Sequence, residues 1–258
     1  MLKPRIIPCL LVKNKGLVKT VNFGNPKYVG DPINAVRIFN EKEVDELIVL
    51  DIDATADNRE PDYKMIENLA AECRMPLCYG GGVKSVKQAQ RIFELGVEKV
   101  AFSSSVIENP QLVAETAKIV GNQSVIVVLD IKKSFTGKYE IWTKNANNNT
   151  KKNPVEFAKL LEKLGVGEII INSIDKDGTM KGYDLSLVEK IRDSISVPMS
   201  VLGGAGSLQD IGNLINKFGV IGAAAGSLFV FKGVYRAVLI NYPARTEKET
   251  LIRDFLIP

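Results

Sequence analysis

The 258-residue chain contains no histidine. That absence excludes Ser-His-Asp and Cys-His triads, histidine metal ligands and a histidine general base. Acid–base chemistry is left to carboxylates, lysine, tyrosine or cysteine. Cysteine is scarce too, with only Cys9, Cys73 and Cys78. An odd number at no zinc spacing reads as reduced thiols, so neither a disulfide framework nor a metal or other cofactor is expected. No apolar run reaches the ~20 residues of a membrane span, and Met1 to Pro8 does not read as a signal peptide. The expectation is a soluble cytoplasmic protein with no membrane partner. A strong charge bias is also missing: 34 basic residues face 30 acidic ones, a net +4. So small an excess does not indicate a nucleic-acid partner and fits an anionic small molecule.

What is present is alternation. Short β-branched apolar runs occur at Arg5–Val12, Glu46–Asp51, Leu77–Gly80, Lys99–Phe102, Val125–Ile131, Glu168–Asn172, Pro198–Leu202 and Gly222–Ala225. Amphipathic stretches between them, such as Asp31–Glu41, Pro110–Val120, Pro154–Leu164 and Leu185–Ser194, have helical spacing. Strands that are apolar throughout and alternate with helices predict a parallel sheet covered on both faces. Eight units in this length predict a single closed (β/α)8 barrel, with a doubly wound open sheet as the alternative. The halves also repeat at an offset of about 119 to 123 residues, which strengthens the barrel reading. Pro32…Glu46-Leu47-Ile48 lies on Pro154…Glu168-Ile169-Ile170, and Gly81-Gly82…Ser85 on Gly203-Gly204…Ser207. The predicted organisation is one domain over residues 1–258, with halves at about 1–122 and 123–245 and a tail at 246–258. Two long connections, Lys13–Gly30 and Lys132–Asn153, should lie over the C-terminal face, and Lys138–Thr143 reads as one arm of a small hairpin.

Glycines follow strands three and seven, at Gly80-Gly81-Gly82 and Gly203-Gly204-Ala205-Gly206, each before a helix. Without a Cβ, their N–H groups can approach a phosphate, and the helix N-terminus adds partial positive charge. Strand four ends in Ser103-Ser104-Ser105 and strand eight in Gly226-Ser227, which add hydroxyl and N–H donors. The repeat thus predicts two phosphate sites facing each other across one mouth. The plainer reading is that these glycines only make tight turns. Asp130 ends strand five, Asp51 and Asp53 end strand two, and Asp177-Gly178 follow strand six. Carboxylates at these ends of barrel strands usually serve chemistry or ligand contact, although Asp177-Gly178 also reads as a plain turn. In the repeat, Leu11 occupies the place equivalent to Asp130. A carboxylate pair divides acid and base roles; a carboxylate facing leucine does not.

These residues resemble the cyclase subunit of imidazole glycerol phosphate synthase, over nearly the whole chain. The segments that carry the resemblance are Arg5-Ile6-Ile7-Pro8-Cys9-Leu10, Val18-Lys19, Gly30-Asp31-Pro32, Asp45-Glu46-Leu47, Gly80-Gly81-Gly82, Ser173-Ile174-Asp175-Lys176-Asp177-Gly178-Thr179, Gly182-Tyr183-Asp184 and Gly203-Gly204-Ala205-Gly206. The resemblance implies a glutaminase partner on the N-terminal face of the barrel. Ammonia would cross the core to a ribonucleotide carrying a phosphate at each end. The catalytic positions it implies are Asp130, Lys19 and a first-strand aspartate, whose place Leu11 takes. Leu202 stands where the family usually has serine. Gly81, Gly82, Ser103, Ser104, Asp177, Gly178, Gly203, Gly204, Gly226 and Ser227 are the implied phosphate contacts. Arg5, Glu46, Lys99 and Glu168 match the family's charged ring at the ammonia entrance; alone, they also read as a salt-bridge plug, and with all four positions filled the gate is the expectation. An intact ring beneath an altered mouth, with the first loop Leu10–Thr20, resembles second-copy relatives linked to amidation of N-acetyl sugars in bacterial surface polysaccharides. The expectation is an ammonia conduit with impaired cyclase chemistry. The alternatives are a working cyclase using Asp51 or Asp53, and a related sugar-phosphate isomerase barrel.

Overall fold

The computed structural model describes residues 3–252, so positions 253–258 of the expected tail lie outside it. Eight strands run parallel: β1 (Arg5–Lys13), β2 (Leu47–Asp51), β3 (Leu77–Gly80), β4 (Lys99–Phe102), β5 (Val125–Lys133), β6 (Glu168–Ser173), β7 (Met199–Leu202) and β8 (Gly222–Ala225). Each pairs with the next, and β8 pairs with β1 through Arg5↔Gly222 to Pro8↔Ala225, which closes the ring. The architecture is a (β/α)8 barrel, and all eight strands fall within two residues of their sequence-predicted bounds.

Why the runs form these strands is visible in their two faces. Residues i and i+2 point the same way in a strand. One set (Ile6, Leu10, Val49, Tyr79, Val127, Ile171) packs outward against helices. The other set (Ile7, Cys9, Ile48, Cys78, Ala101, Ile126, Val128, Ile170, Leu202, Ala224) fills the barrel interior. Both faces are buried, which accounts for apolar residues at nearly every position. The helices begin where a side chain accepts the free N–H groups of the first turn: Asp31, Asp62, Ser85, Asn153, Asp184 and Ser207 all do so.

The two long connections are more ordered than the sequence suggested. Lys13–Gly30 is a hairpin, with strands Gly16–Val21 and Gly24–Gly30, whose first arm pairs with β1. Its reversals place Asn14 and Lys15, then Asn22 and Phe23, in left-handed backbone. Asparagine tolerates that region, and two successive positive φ values match the twist of paired strands. In the second connection Tyr139–Thr143 pairs antiparallel with β5, Trp142 opposite Asp130, as the hairpin reading expected. Residues 245–251, which include the first part of the presumed tail, form a helix held by Lys248 Nζ on Asp45 at 2.8 Å.

The helix after β7 (Leu208–Phe218) carries a capping box in which Ser207 and Asp210 satisfy each other's backbone. Ser207→Ala should lower stability by about 1 kcal/mol, read as a lower urea midpoint at unchanged slope. An unchanged midpoint would mean that Asp210 alone holds the turn.

Candidate active site

A cavity of about 560 Å³ opens at the C-terminal ends of the strands. It is lined by every phosphate-contact residue expected from sequence, and by Leu11, Lys19 and Asp130. Backbone geometry explains the glycines at once. A Cβ on Gly81 (φ +120°) would stand 2.4 Å from the Asp51 carbonyl, and one on Gly204 (φ +114°) 2.2 Å from that of Gly182. Glycine is therefore required by the turns themselves, whatever they bind. One strand further round the ring from each, the helices Ser104–Glu108 and Ser227–Val230 start without a side-chain cap. Their first N–H groups remain available at the mouth.

Asp130 sits at the cavity wall. Its Oδ1 accepts from Asn172 Nδ2 at 2.8 Å. Burial raises its carboxyl from an ordinary 3.8 to about 7; the Asn172 hydrogen bond opposes this and the Asp177 charge adds to it. Leu11 lies on β1, on the far side of the ring from β5, and Leu50 and Leu202 extend the apolar wall.

Lys19 is buried, its Nζ donating to the Cys9 carbonyl at 2.6 Å. Burial lowers its pKa, against the pull of Cys9 and Asp177. A Cβ on Gly226 would come within 2.6 Å of that ammonium, so glycine here makes room for lysine. Asp177 is committed elsewhere: its Oδ2 accepts from Thr20 Oγ1 at 2.7 Å and from the Phe23 N–H at 3.1 Å. It latches the first hairpin over the mouth, and burial raises its carboxyl pKa against the pull of those two hydrogen bonds. Sequence reasoning missed Thr20 and Asn172. The only signal for Asn172 was its register two residues above Ile170.

The opposite end is a closed ionic ring. Arg5 bonds Glu46 and Glu168, the latter at 2.7 Å, and Lys99 bonds Glu46 at 2.8 Å and Glu168 at 3.1 Å. Glu46 and Glu168 are both 4% exposed, so pairing is what makes their burial tolerable. Burial works against all three shifted groups. Even so, the ion pairs hold Arg5 and Lys99 above their usual pKa values and Glu168 below its own. Ser200 Oγ also donates to Glu168, a fifth member not foreseen from the sequence. Asp51 pairs with Arg59 at 3.4 Å and Asp53 with Lys13 at 3.1 Å.

The fold and this two-ended site define a (β/α)8 barrel with a glycine-rich mouth above an ion-paired floor. The histidine biosynthesis protein family model matches residues 5–236. A Leptospira interrogans protein, provisionally named imidazole glycerol phosphate synthase subunit HisF, is 56% identical over 252 residues, covering 97% of this chain and 99% of that one. A Vibrio vulnificus protein, provisionally named subunit hisF3 of the same synthase, is 56% identical over 250 residues, 96% of both chains. The Streptococcus sanguinis imidazole glycerol phosphate synthase subunit HisF is 39% identical over 229 residues, 89% of this chain and 91% of that one. The chain belongs to the histidine biosynthesis protein family, in its HisF-like branch. Among the described residues no helix is long and apolar enough to cross a membrane.

Because the folded Asp130 carboxyl keeps a proton that the unfolded chain releases, it favours the folded state most below about pH 4. That advantage is lost as pH rises towards about 7. Asp130→Asn removes the titration. Its stability relative to wild type should therefore improve between about pH 5 and about pH 8, measured by urea unfolding at both. A constant difference would mean that Asp130 titrates normally.

Proposed function

We propose that this barrel is an ammonia conduit. A glutaminase subunit docks on the N-terminal face, where the Arg5–Glu46–Lys99–Glu168 ring closes the floor. Ammonia, small and neutral, passes the ring when its ion pairs shift, and then follows an interior lined by Ile7, Ile48, Ala101, Ile126, Ile170 and Ala224. Apolar walls favour the neutral molecule over ammonium, because an unpaired buried charge is costly. At the mouth a phosphorylated ligand, a bis-phosphate ribonucleotide or a relative of it, is held by N–H and hydroxyl donors around Gly81, Gly82, Ser103 and Ser104 on one side. Gly203, Gly204, Gly226 and Ser227 hold it on the other. The acceptor we propose for the ammonia is an N-acetyl sugar of bacterial surface polysaccharide synthesis, in keeping with the likeness to second-copy relatives.

The observation that carries this reading is Leu11. Cyclisation and cleavage require proton removal and proton donation at two points, and loss of a general acid or base costs about 10²–10⁴-fold. Asp130 alone faces leucines here, while the floor ring is complete. Asp51 and Asp53, the candidate replacements, are already paired with Arg59 and Lys13 and sit on β2 or just after it. The second reading, an authentic cyclase subunit of histidine biosynthesis, draws on the 39% identity to a synthase subunit.

The test is ammonia-driven turnover of the bis-phosphate ribonucleotide by the purified chain beside Leu11→Asp. Wild type should be near silent and Leu11→Asp faster by about 10²-fold or more. Ordinary turnover by wild type would overturn the conduit reading in favour of the cyclase.

A further inference from the structure

Side chains that point into the barrel recur every second residue, so single strands link floor to mouth. On β6 the inward series is Glu168, Ile170, Asn172. From β4 it runs Lys99, Ala101, Ser103, and on β5 Ile126, Val128, Asp130. The top of each series is polar, and all three polar groups line the cavity.

Asn172 is 5% exposed. Its Nδ2 is used on Asp130, and its Oδ1 is buried with no hydrogen-bond partner among the described residues. The amide cannot be reversed while Asp130 is ionised, because oxygen would then face a carboxylate. A Cβ on Gly203 would lie 3.2 Å from this Oδ1, so the glycine keeps the acceptor uncovered. Ser103 Oγ lies beside the Asp130 carboxyl, also buried, and makes no hydrogen bond of ordinary geometry. Buried polar atoms are rarely left unpaired, so two at one place, both at the cavity wall, mark a ligand position. Both can accept, and so can Asp130. The neighbours at the same level, Leu11, Leu50 and Leu202, offer nothing polar.

We propose that Ser103, Asp130 and Asn172 form a holding site for ammonium at the top of the barrel interior. The proposal rests on the conduit reading. Ammonium offers N–H donors to three oxygens, and its charge is met by a single carboxylate. The leucine wall has no ligand for a hydrated metal ion, which keeps its water shell. Neutral ammonia leaving the interior takes the proton of the Asp130 carboxyl: an O–H bond breaks, an N–H bond forms, and the ammonium–carboxylate pair results. Delivery reverses that one transfer. An N–H bond breaks, its electron pair stays on nitrogen, and an O–H bond forms on Asp130, which leaves neutral ammonia and a neutral carboxyl. Burial, with Asp177 adding to it, makes Asp130 a stronger base than an exposed aspartate, while Lys19 is engaged with Cys9. A second carboxylate at position 11 would hold the ion in its charged form; leucine lets it go.

The test uses the full chain with ¹³C-labelled aspartate carboxyls, titrated with ammonium chloride, potassium chloride or tetramethylammonium chloride at equal ionic strength. Ammonium should shift the Asp130 resonance saturably and move its titration midpoint below about 7, and the other two ions should not. Asn172→Leu and, independently, Ser103→Ala should each weaken the ammonium effect about tenfold, with circular dichroism unchanged. Ser103→Ala alters only a small group, so it reports even if Asn172→Leu misfolds. An equal response to potassium, or no saturable response to ammonium, would overturn the proposal. Ammonium enters from the open mouth in this experiment, without glutaminase or ring. The site can therefore fail while the conduit reading stands, and the reverse.

Discussion

The ring of Arg5, Glu46, Lys99 and Glu168 is the constraint on which the interior depends. Each carboxylate touches both cations, and the four charges sum to zero. Removing one partner would strand a buried charge, which typically costs about 3–5 kcal/mol. The ring also dictates its surroundings. Ser200 reaches Glu168, and a Cβ on Gly222 would stand 1.8 Å from that hydroxyl, so β8 must carry glycine there. With the lowest inward layer occupied by charge, the apolar layers above it are separated from water on the floor side.

The mouth depends on one loop. Residues 174–178 after β6 hold three otherwise separate connections. Asp175 accepts from the Lys133 N–H at 2.8 Å, Asp177 takes Thr20 and the Phe23 N–H, and the Gly178 carbonyl accepts from Arg236 at 3.1 Å. The cavity wall is built from elements distant in sequence and pinned at these few points. Exchanging the carboxylate latch for an apolar residue would remove two contacts from the tip of the first hairpin, whose first arm stays paired with β1.

The barrel was legible because its physics is repetitive. Both faces of each strand are buried, so apolar runs mark strands, and the amphipathic stretches between them mark helices. The first hairpin was not legible, because Gly16–Gly30 alternates weakly and its reversals depend on Asn14, Lys15, Asn22 and Phe23 taking left-handed backbone. Asp177 was read as a ligand contact from its place after a strand, and it lines the cavity; chain position did not reveal that its carboxylate also accepts from Thr20, 157 residues away. Asn172 was invisible for the opposite reason. An asparagine ending a strand is ordinary until the structure leaves its carbonyl oxygen buried and unpaired.

Fold and chemistry separate cleanly in this chain. Leu11 and Leu202 change nothing in the hydrogen-bonded ring, where β1 pairs with β2 through Leu11↔Leu50 and β6 with β7 through Asn172↔Leu202. Backbone pairing is blind to which side chain stands at the end of a strand, so a barrel can lose a carboxylate from its mouth at no cost in stability. Replacing a buried charge by leucine even removes a desolvation penalty. What the exchange alters is the set of protons the mouth can move. Asp130 can hold one proton, and on the proposed reading the leucine across the ring supplies no second carboxylate for the complementary role.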